Sequence, residues 1–182
     1  MCIRDRGTIV PKKKVPPGAV ILPSFMVLQV KRQGNGAVER FRARCVAGGN
    51  VQTRHSYTHK SAPVVEFSVV RLFFKVCISK RYIIIQVDVI GAFLNGDLDE
   101  IIYIRLPKSL PAPFGGALCR LYKSMYGLKQ AHHQWHKKLC ADLRRNGFVE
   151  LPSAPCFFRK EMDSGDVYIL IYVDNLLVAA AD

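Results

Sequence analysis

The alternation of apolar and polar residues predicts a β-hairpin in the first quarter of the chain. Residues 21–30 form a mostly apolar run, and residues 33–36 read Gln-Gly-Asn-Gly, which is typical of a turn because Asn and Gly tolerate positive φ. Residues 38–47 then alternate, with three arginines on one face and apolar or small residues on the other. The arginines are Arg40, Arg42 and Arg44. A period of two residues predicts a second strand, here with a basic face that is either a solvated edge or a phosphate-binding platform.

The rest of the chain mixes helical and extended patterns. Apolar residues at helical spacing predict one helix over residues 66–80 and another over 132–145, the second ending at Asn-Gly. Residues 82–87 form a continuous apolar, β-branched run, which predicts a strand buried on both faces and ending at Asp88. Further strands are predicted over 101–106, from 157, over 167–173 and over 176–181. This order is typical of an α+β fold, in which antiparallel strands pack on a few helices.

Composition narrows the class of protein. The 182 residues carry 27 Lys and Arg against 14 Asp and Glu, a formal net charge of +13. Such an excess favours a polyanionic partner, nucleic acid before membrane. No apolar stretch approaches the roughly 20 residues of a membrane-spanning helix. The six cysteines are scattered without close pairs, which predicts reduced, packed thiols and neither a disulfide framework nor a zinc site.

The beginning of the chain is expected to lie outside the folded domain. Residues 1–6 read Met-Cys-Ile-Arg-Asp-Arg, which lacks the apolar run of a signal peptide and looks like translated adapter sequence. The lysines at 12–14 are either a nuclear-localisation patch or a solvated linker. We therefore expect residues 1–20 to be disordered or artefactual, and residues 21–182 to form one domain that is truncated at its C-terminus.

Two acids stand out by their position. Asp88 follows a strongly apolar strand, and Asp174 lies between two apolar strands. A carboxylate with apolar neighbours and limited hydration is costly unless it is paired or metal-bound. If the two strand ends are neighbours, both carboxylates point into one volume, and a divalent cation such as Mg²⁺ would relieve their repulsion. The alternative is that each Asp is an ordinary turn or cap residue.

Five segments carry motifs in a fixed order. Residues 42–49 read Arg-Ala-Arg-Cys-Val-Ala-Gly-Gly, and residues 61–65 read Ser-Ala-Pro-Val-Val. Residues 86–98 read Gln-Val-Asp-Val-Ile-Gly-Ala-Phe-Leu-Asn-Gly-Asp-Leu, and residues 121–131 read Leu-Tyr-Lys-Ser-Met-Tyr-Gly-Leu-Lys-Gln-Ala. Residues 172–175 read Tyr-Val-Asp-Asn. From about Phe25 to Asp182, the chain resembles the reverse transcriptases of copia-type LTR retrotransposons.

The resemblance implies a right-hand polymerase with fingers and palm, without a thumb, cut from a Pol polyprotein. It implies an RNA-directed DNA polymerase that joins a deoxynucleotide to a primer 3′-hydroxyl by two-metal catalysis, with Mg²⁺ as cofactor and Mn²⁺ as a substitute. The implied partners are an RNA or DNA primer–template, deoxynucleoside triphosphates, and the RNase H and integrase of the polyprotein, with no membrane. The implied location is the cytoplasm, in a virus-like particle, or the nucleus.

The resemblance also assigns roles to residues. Asp88 and Asp174 match the metal ligands, and Asn175 stands at the position of a further catalytic acid. Phe93 matches the aromatic side chain that leaves no room for a 2′-hydroxyl. The other residues that match nucleotide-binding positions are Arg42, Arg44, Gly127, Lys129 and Gln130. Trp135 and Phe74 are expected to be core residues.

Departures from the family pattern concern activity. An amide at Asn175 is neutral and a poorer metal ligand than a carboxylate, so we expect weakened metal binding and reduced turnover. The usual Pro-Arg is replaced by His132-His133, a pair expected to lie at the surface. The segment after Asn50 also departs from the pattern. The alternative function is therefore a catalytically inactive, basic nucleic-acid-binding remnant of a retrotransposon polyprotein.

Overall fold

The computed structural model describes residues 6–181, apart from the side chain of His55. This part of the chain has an α+β fold, as predicted, and forms two compact units. Residues up to Lys60 and Phe93–Gln134 form the first unit, and Ser61–Ala92 with the residues from Trp135 onward form the second. Cys2 and most of the adapter-like segment lie outside the described residues.

Ten strands and two α-helices make up the described chain, together with short 3-10 turns. The strands are β1 (Gly7–Val10), β2 (Ile21–Arg32), β3 (Val38–Ala47), β4 (Ile83–Asp88), β5 (Asp97–Arg105), β6 (Leu118–Lys123), β7 (Val149–Leu151), β8 (Ala154–Lys160), β9 (Val167–Tyr172) and β10 (Asn175–Ala180). The helices are α1 (Phe67–Ser79) and α2 (Ala131–Arg145).

The first unit is built on a sheet with the strand order β1-β6-β5-β2-β3. The predicted hairpin is confirmed, since β2 and β3 are antiparallel and are joined by the Gln-Gly-Asn-Gly turn. Its register places Arg42 opposite Gln29 and Arg44 opposite Val27, so the arginines lie on one face. The apolar core of this unit includes Leu22, Ile102, Ile104, Leu106, Cys119 and Leu121.

Strand β1 differs from the disorder expected of residues 1–20. Its four residues pair antiparallel with β6, with Gly7 opposite Leu121 and Val10 opposite Leu118. The β-branched sequence Thr-Ile-Val suits a pleated surface, and β6 supplies the hydrogen-bonding edge. The expectation of disorder therefore fails for residues 7–10, because a sequence pattern does not reveal which edge a short strand will find.

The second unit is built on an antiparallel sheet with the strand order β4-β10-β9-β8-β7. Helix α1, confirmed where it was predicted, buries Val69, Phe73 and Cys77. The ring of Phe73 packs edge-on against that of Phe157 on β8, with centroids 5.6 Å apart. Helix α1 thereby covers β8 with apolar side chains on one face of the sheet.

The prediction that β4 is buried on both faces is wrong. Ile83, Ile85 and Val87 are 50%, 59% and 40% exposed. Strand β4 is at the edge of its sheet, with β10 as its partner in the ladder. A run of β-branched residues signals strand formation but does not distinguish an edge strand from a central one.

Three further predictions concern the end of helix α2, the state of the cysteines and membrane-spanning helices. Helix α2 ends as predicted, because Gly147 adopts φ +83° and the N–H of Phe148 donates to the carbonyl oxygen of Leu143 at 3.0 Å. The five described cysteines are buried free thiols, and burial raises the pKa of Cys119 to about 11. Within residues 6–181, no helix has the length and apolar character needed to cross a bilayer.

Candidate functional site

The hairpin between β9 and β10 meets the end of β4. Strands β4 and β10 pair antiparallel, and their register places Asp88 directly opposite Asn175. Just beyond the strand ends, the N–H of Val89 donates to the carbonyl oxygen of Asp174 at 3.1 Å. Opposed residues of antiparallel strands have Cα atoms about 4.5–5.5 Å apart. The structure therefore brings Asp88, Asp174 and Asn175 to one end of the sheet, and the expected adjacency of the two strand ends is confirmed.

The carboxylates at this end are more hydrated than their apolar flanks suggest. Asp88 is exposed and Asp174 is half-buried. The expectation of limited hydration is wrong for Asp88, because an edge strand leaves its last residue open on the side that has no neighbour. This openness suits a group that must meet a ligand arriving from solvent.

The turn that carries Asp174 has a strained backbone. Val173 adopts φ +60°, a left-handed conformation that β-branched residues rarely adopt and that typically costs about 1–3 kcal/mol. Its carbonyl oxygen accepts a hydrogen bond from the indole Nε1 of Trp135 at 3.0 Å. Trp135 is 5% exposed, so its prediction as a core residue is confirmed, whereas Phe74 is 39% exposed and the same prediction is wrong for it. The second role of Trp135, as the donor to this turn, is not predicted by the local sequence, although a buried indole N–H generally needs an acceptor.

Asn175 is hydrogen-bonded at both atoms of its amide. Nε2 of Gln86 donates to Oδ1 of Asn175 at 3.1 Å. Nδ2 of Asn175 in turn donates to Oδ1 of Asp174 at 3.3 Å. A cavity of about 440 Å³ opens beside these amides, with Leu170 and Leu177 among its apolar lining residues. Gln86 is thus a further residue of the site that the sequence analysis quoted in a motif but gave no role.

In the first unit, Arg44 and Phe93 share an aromatic cluster. The guanidinium of Arg44 lies 5.5 Å from the centre of the Tyr126 ring, a cation–π distance. The Tyr126 ring packs edge-on against Phe93 at 5.8 Å, and Phe93 also meets His132 at 6.2 Å. The predicted surface position of His132 is therefore only partly right, since it is half-buried against an aromatic ring. Arg42 lies half-buried on the same face of β3 as Arg44.

Gly127 lies where the segment after β6 meets the end of β3. Gly127 has φ +92°, and a Cβ atom there would lie 2.0 Å from the carbonyl oxygen of Ala47, so glycine is required. The N–H of Lys129 donates to Oε1 of Gln52 at 2.8 Å, and Nζ of Lys129 donates to the carbonyl oxygen of Gln52 at 2.8 Å. Lys129 therefore uses both of these donors within the protein.

Gln130 is completely buried. Its Oε1 accepts from Nε2 of Gln52 at 3.0 Å, and its Nε2 donates to Oε2 of Glu100 at 3.4 Å. A contact between Gln130 and a nucleotide stays a prediction, and the geometry places its side chain among protein partners. Gln52, 4% exposed, supports both Lys129 and Gln130. Nothing in the local sequence pattern around Gln52 predicts a buried amide, so Gln52 is not among the predicted site residues.

Comparison with known proteins gives the family. Residues 12–182 match the family model described as "Reverse transcriptase (RNA-dependent DNA polymerase)". The chain belongs to the reverse transcriptase family. No solved structure matches it significantly.

The relatives of this reverse transcriptase chain are transposon polyproteins. It is 31% identical over 172 residues to the retrovirus-related Pol polyprotein from transposon TNT 1-94 of Nicotiana tabacum, which covers 93% of the chain and 13% of the relative. It is 32% identical to the Pol polyprotein from transposon RE1 of Arabidopsis thaliana, in a match that covers 92% of the chain and 12% of the relative. It is 30% identical to the truncated transposon Ty1-A Gag-Pol polyprotein of Saccharomyces cerevisiae, in a match that covers 94% of the chain and 14% of the relative. The predicted membership in the copia-type group is confirmed. The chain spans less than a sixth of each of these relatives.

The donor set where β4 meets the turn between β9 and β10 fits a magnesium ion only in part. Among the described residues, no group of three or more His, Cys, Asp or Glu side chains is arranged to hold a metal. Mg²⁺ usually binds through one or two protein carboxylates, with water and substrate phosphates completing its six positions. Asp88, exposed at the end of β4, and Asp174, half-buried in the turn before β10, provide two such carboxylates. The chain therefore fits a metal that arrives with a phosphate ligand, and not a cage made of protein alone.

Proposed function

We propose that this chain is the polymerase module of a retrotransposon Pol polyprotein, an RNA-directed DNA polymerase with the fingers and palm of a right-hand fold. The observation that carries the proposal is the pairing of β4 with β10, which brings Asp88 and Asp174 together. Family membership supports the reaction class. Asp88 is exposed and Asp174 is half-buried, which leaves this end of the sheet accessible to a large polyanionic substrate.

In this proposal, Asp88 and Asp174 hold two magnesium ions through their carboxylate oxygens. Bound magnesium would activate the primer 3′-hydroxyl and neutralise the pyrophosphate that leaves from the deoxynucleotide. The hydrogen bond from Trp135 keeps the turn that carries Asp174 in its strained conformation, so this carboxylate is positioned before substrate binds. Manganese would substitute for magnesium at the same oxygens.

The nucleotide-binding roles belong to residues of the first unit. Arg42 and Arg44 would hold the triphosphate, since guanidinium groups bind phosphate oxygens in pairs. Phe93 would exclude ribonucleotides, and Tyr126 and His132 brace its ring for that task. The backbone around Gly127 and the side chains of Lys129 and Gln130 would line the nucleotide and template, held in place by Gln52.

We propose that the chain is a weak enzyme. Asn175 is a neutral amide where the family that the chain resembles has a carboxylate, so the site carries one negative charge less than that pattern. An amide oxygen is a weaker ligand for Mg²⁺ than a carboxylate oxygen. The whole polyprotein's partners, RNase H and integrase, would act on the same nucleic acid in an intact element.

Primer extension tests the proposal. A 5′-labelled DNA primer on an RNA template is incubated with deoxynucleotides and Mg²⁺ or Mn²⁺, using the unaltered chain, Asn175→Asp and Asp88→Asn. We expect slow extension by the unaltered chain, faster extension by Asn175→Asp, and none by Asp88→Asn. Extension that survives Asp88→Asn would show that the activity does not depend on the proposed site.

A second candidate function is non-catalytic binding of nucleic acid. The net charge of +13 and the lost carboxylate at Asn175 favour it. A binding remnant would shift the primer–template in a gel-mobility assay and extend no primer, even as Asn175→Asp. Product from Asn175→Asp alone would instead identify a polymerase disabled at one residue.

A further inference from the structure

We propose that Gln86 and Asn175 are positioning residues that together fix the carboxylate of Asp174. The two amides form a hydrogen-bonded chain, from Nε2 of Gln86 to Oδ1 of Asn175 at 3.1 Å and from Nδ2 of Asn175 to Oδ1 of Asp174 at 3.3 Å. This inference rests on the proposed function only in taking Asp174 as a metal ligand. The hydrogen-bonded chain itself is a property of the metal-free protein.

The chemistry of the side chains fixes which group donates and which accepts in these two hydrogen bonds. The ionised carboxylate of Asp174 can only accept hydrogen bonds, so Asn175 must turn its NH₂ group toward it. That orientation leaves the amide oxygen of Asn175 facing Gln86, and an oxygen needs a donor there. Gln86 meets this need with its own NH₂ group. Both hydrogen bonds therefore join a donor to an acceptor, and reversing either amide would bring two donors or two acceptors together.

The strand register explains why these side chains meet. Asn175 lies opposite Asp88, and Leu177 lies opposite Gln86. Side chains of opposed residues share a face, and so do residues two apart on one strand. Gln86, Asp88 and Asn175 therefore lie on one face of the sheet, with Gln86 and Asn175 as diagonal neighbours. The apolar side chains of Leu170 and Leu177 line the same cavity as the two amides.

The chain of amides changes what Asn175 does. Its oxygen, the atom that would bind a metal, already accepts from Gln86. In the metal-free protein Asn175 therefore acts as a donor to Asp174, while Gln86 occupies one of the two lone pairs of its amide oxygen. An aspartate at this position would still accept from Gln86 but would have no proton for Asp174. Gln86 thus holds the residue at 175 in place in either case, whereas the donor to Asp174 exists only with asparagine.

Nuclear magnetic resonance of the metal-free protein tests the hydrogen bonds alone. We expect Gln86→Leu and Asp174→Asn each to shift the side-chain NH₂ resonances of Asn175 and to speed their exchange with water. The matched control is Gln29→Leu, which removes an exposed strand glutamine from β2 in the first unit. Resonances of Asn175 that are the same in Gln86→Leu as in the control would overturn the proposal.

Binding of Mn²⁺, followed by electron paramagnetic resonance, tests the consequence for the metal. Loss of a residue that orients a metal ligand typically weakens affinity about 10–100-fold. We expect Gln86→Leu and Asn175→Leu each to weaken binding about tenfold, and the double variant to be no weaker than either single one. Unchanged affinity in Gln86→Leu, or losses that add, would contradict the proposal. An Mn²⁺ affinity that is unchanged in Asp88→Asn would instead refute the proposed function. The nuclear magnetic resonance experiment would then still test whether Gln86 and Asn175 form the proposed hydrogen bonds.

Discussion

Val173 shows how one side chain can hold a strained turn. The hydrogen bond from Trp135 to its carbonyl oxygen is part of what keeps a β-branched residue at φ +60°. We expect Trp135→Phe, which keeps an aromatic ring and removes the donor, to lower the free energy of unfolding by about 1 kcal/mol. Urea unfolding followed by circular dichroism measures this, since the variant lacks the chain's one tryptophan fluorophore. A variant as stable as the unaltered chain would show that the hydrogen bond does not support the turn.

Phe93 allows a second test at the scale of one residue. Its ring is held by Tyr126 and His132, so truncation opens space without removing the neighbours. In the Asn175→Asp background, we expect Phe93→Ala to raise the ratio of ribonucleotide to deoxynucleotide incorporation by at least about tenfold. The control Phe93→Tyr keeps the ring and should keep the discrimination. An unchanged ratio in Phe93→Ala would contradict the role proposed for this ring.

Single residues differ in how visible they are in the sequence. Asp88 and Asp174 can be identified from the sequence as candidate site residues because each interrupts an apolar run. Each also lies within a motif that resembles a known family. Gln52, Gln86 and the indole of Trp135 could not be found in this way. Their roles depend on which acceptor or donor the tertiary structure places within about 3 Å, and no local periodicity encodes that.

At the scale of secondary structure, patterns of alternation and helical spacing predicted what local sequence determines. Both helices and the β2–β3 hairpin are confirmed close to their predicted bounds. The predictions omit β6 and the short β7, which pairs with the neighbouring β8, and they fail at two strands whose pairing is non-local. Strand β1 needs the edge of β6, and β4 was assigned two buried faces although it is an edge strand.

An ion-pair cluster in the second unit couples elements and gives a pH-dependent prediction. The carboxylate of Asp166 accepts from Nζ of Lys80 at 2.9 Å, from Nε of Arg159 at 3.0 Å and from the hydroxyl of Tyr168 at 2.8 Å. These donors, Lys80 first, hold the pKa of Asp166 well below its ordinary value of 3.8. Since the folded state favours the charged form of Asp166, the cluster stabilises the folded state fully above about pH 4. This stabilisation is lost as pH falls further.

We therefore expect Asp166→Asn to lower stability at pH 7 and to make stability less dependent on pH between about 5 and 2. Urea midpoints measured across that range check both effects. Asp163→Asn, at an exposed turn residue three positions away, is the control and should follow the unaltered chain. If Asp166→Asn lost stability on acidification as steeply as the unaltered chain, Asp166 would not be the cause of the pH dependence of stability.

At the scale of the whole molecule, the positive charge should govern binding to nucleic acid. For duplex DNA, the logarithm of affinity falls with the logarithm of salt concentration by about 0.9 for each phosphate contacted. We expect replacing both Arg42 and Arg44 with Gln to reduce this slope by about 1.8 if each contacts one phosphate. Arg145→Gln is the control, because Arg145 pairs with Asp142 at 3.2 Å. Equal slopes for the double variant and the unaltered chain would exclude these arginines from phosphate binding.

The most direct test of the central claim is anomalous diffraction from a crystal of the chain grown with Mn²⁺, a primer–template and a deoxynucleotide. The account predicts a manganese peak within about 2.0–2.3 Å of a carboxylate oxygen of Asp88 and of one from Asp174, with phosphate oxygens completing the coordination. A peak bound elsewhere, or carboxylates too far apart to share the ions while nucleotide is present, would contradict the polymerase site proposed at the end of β4 and β10.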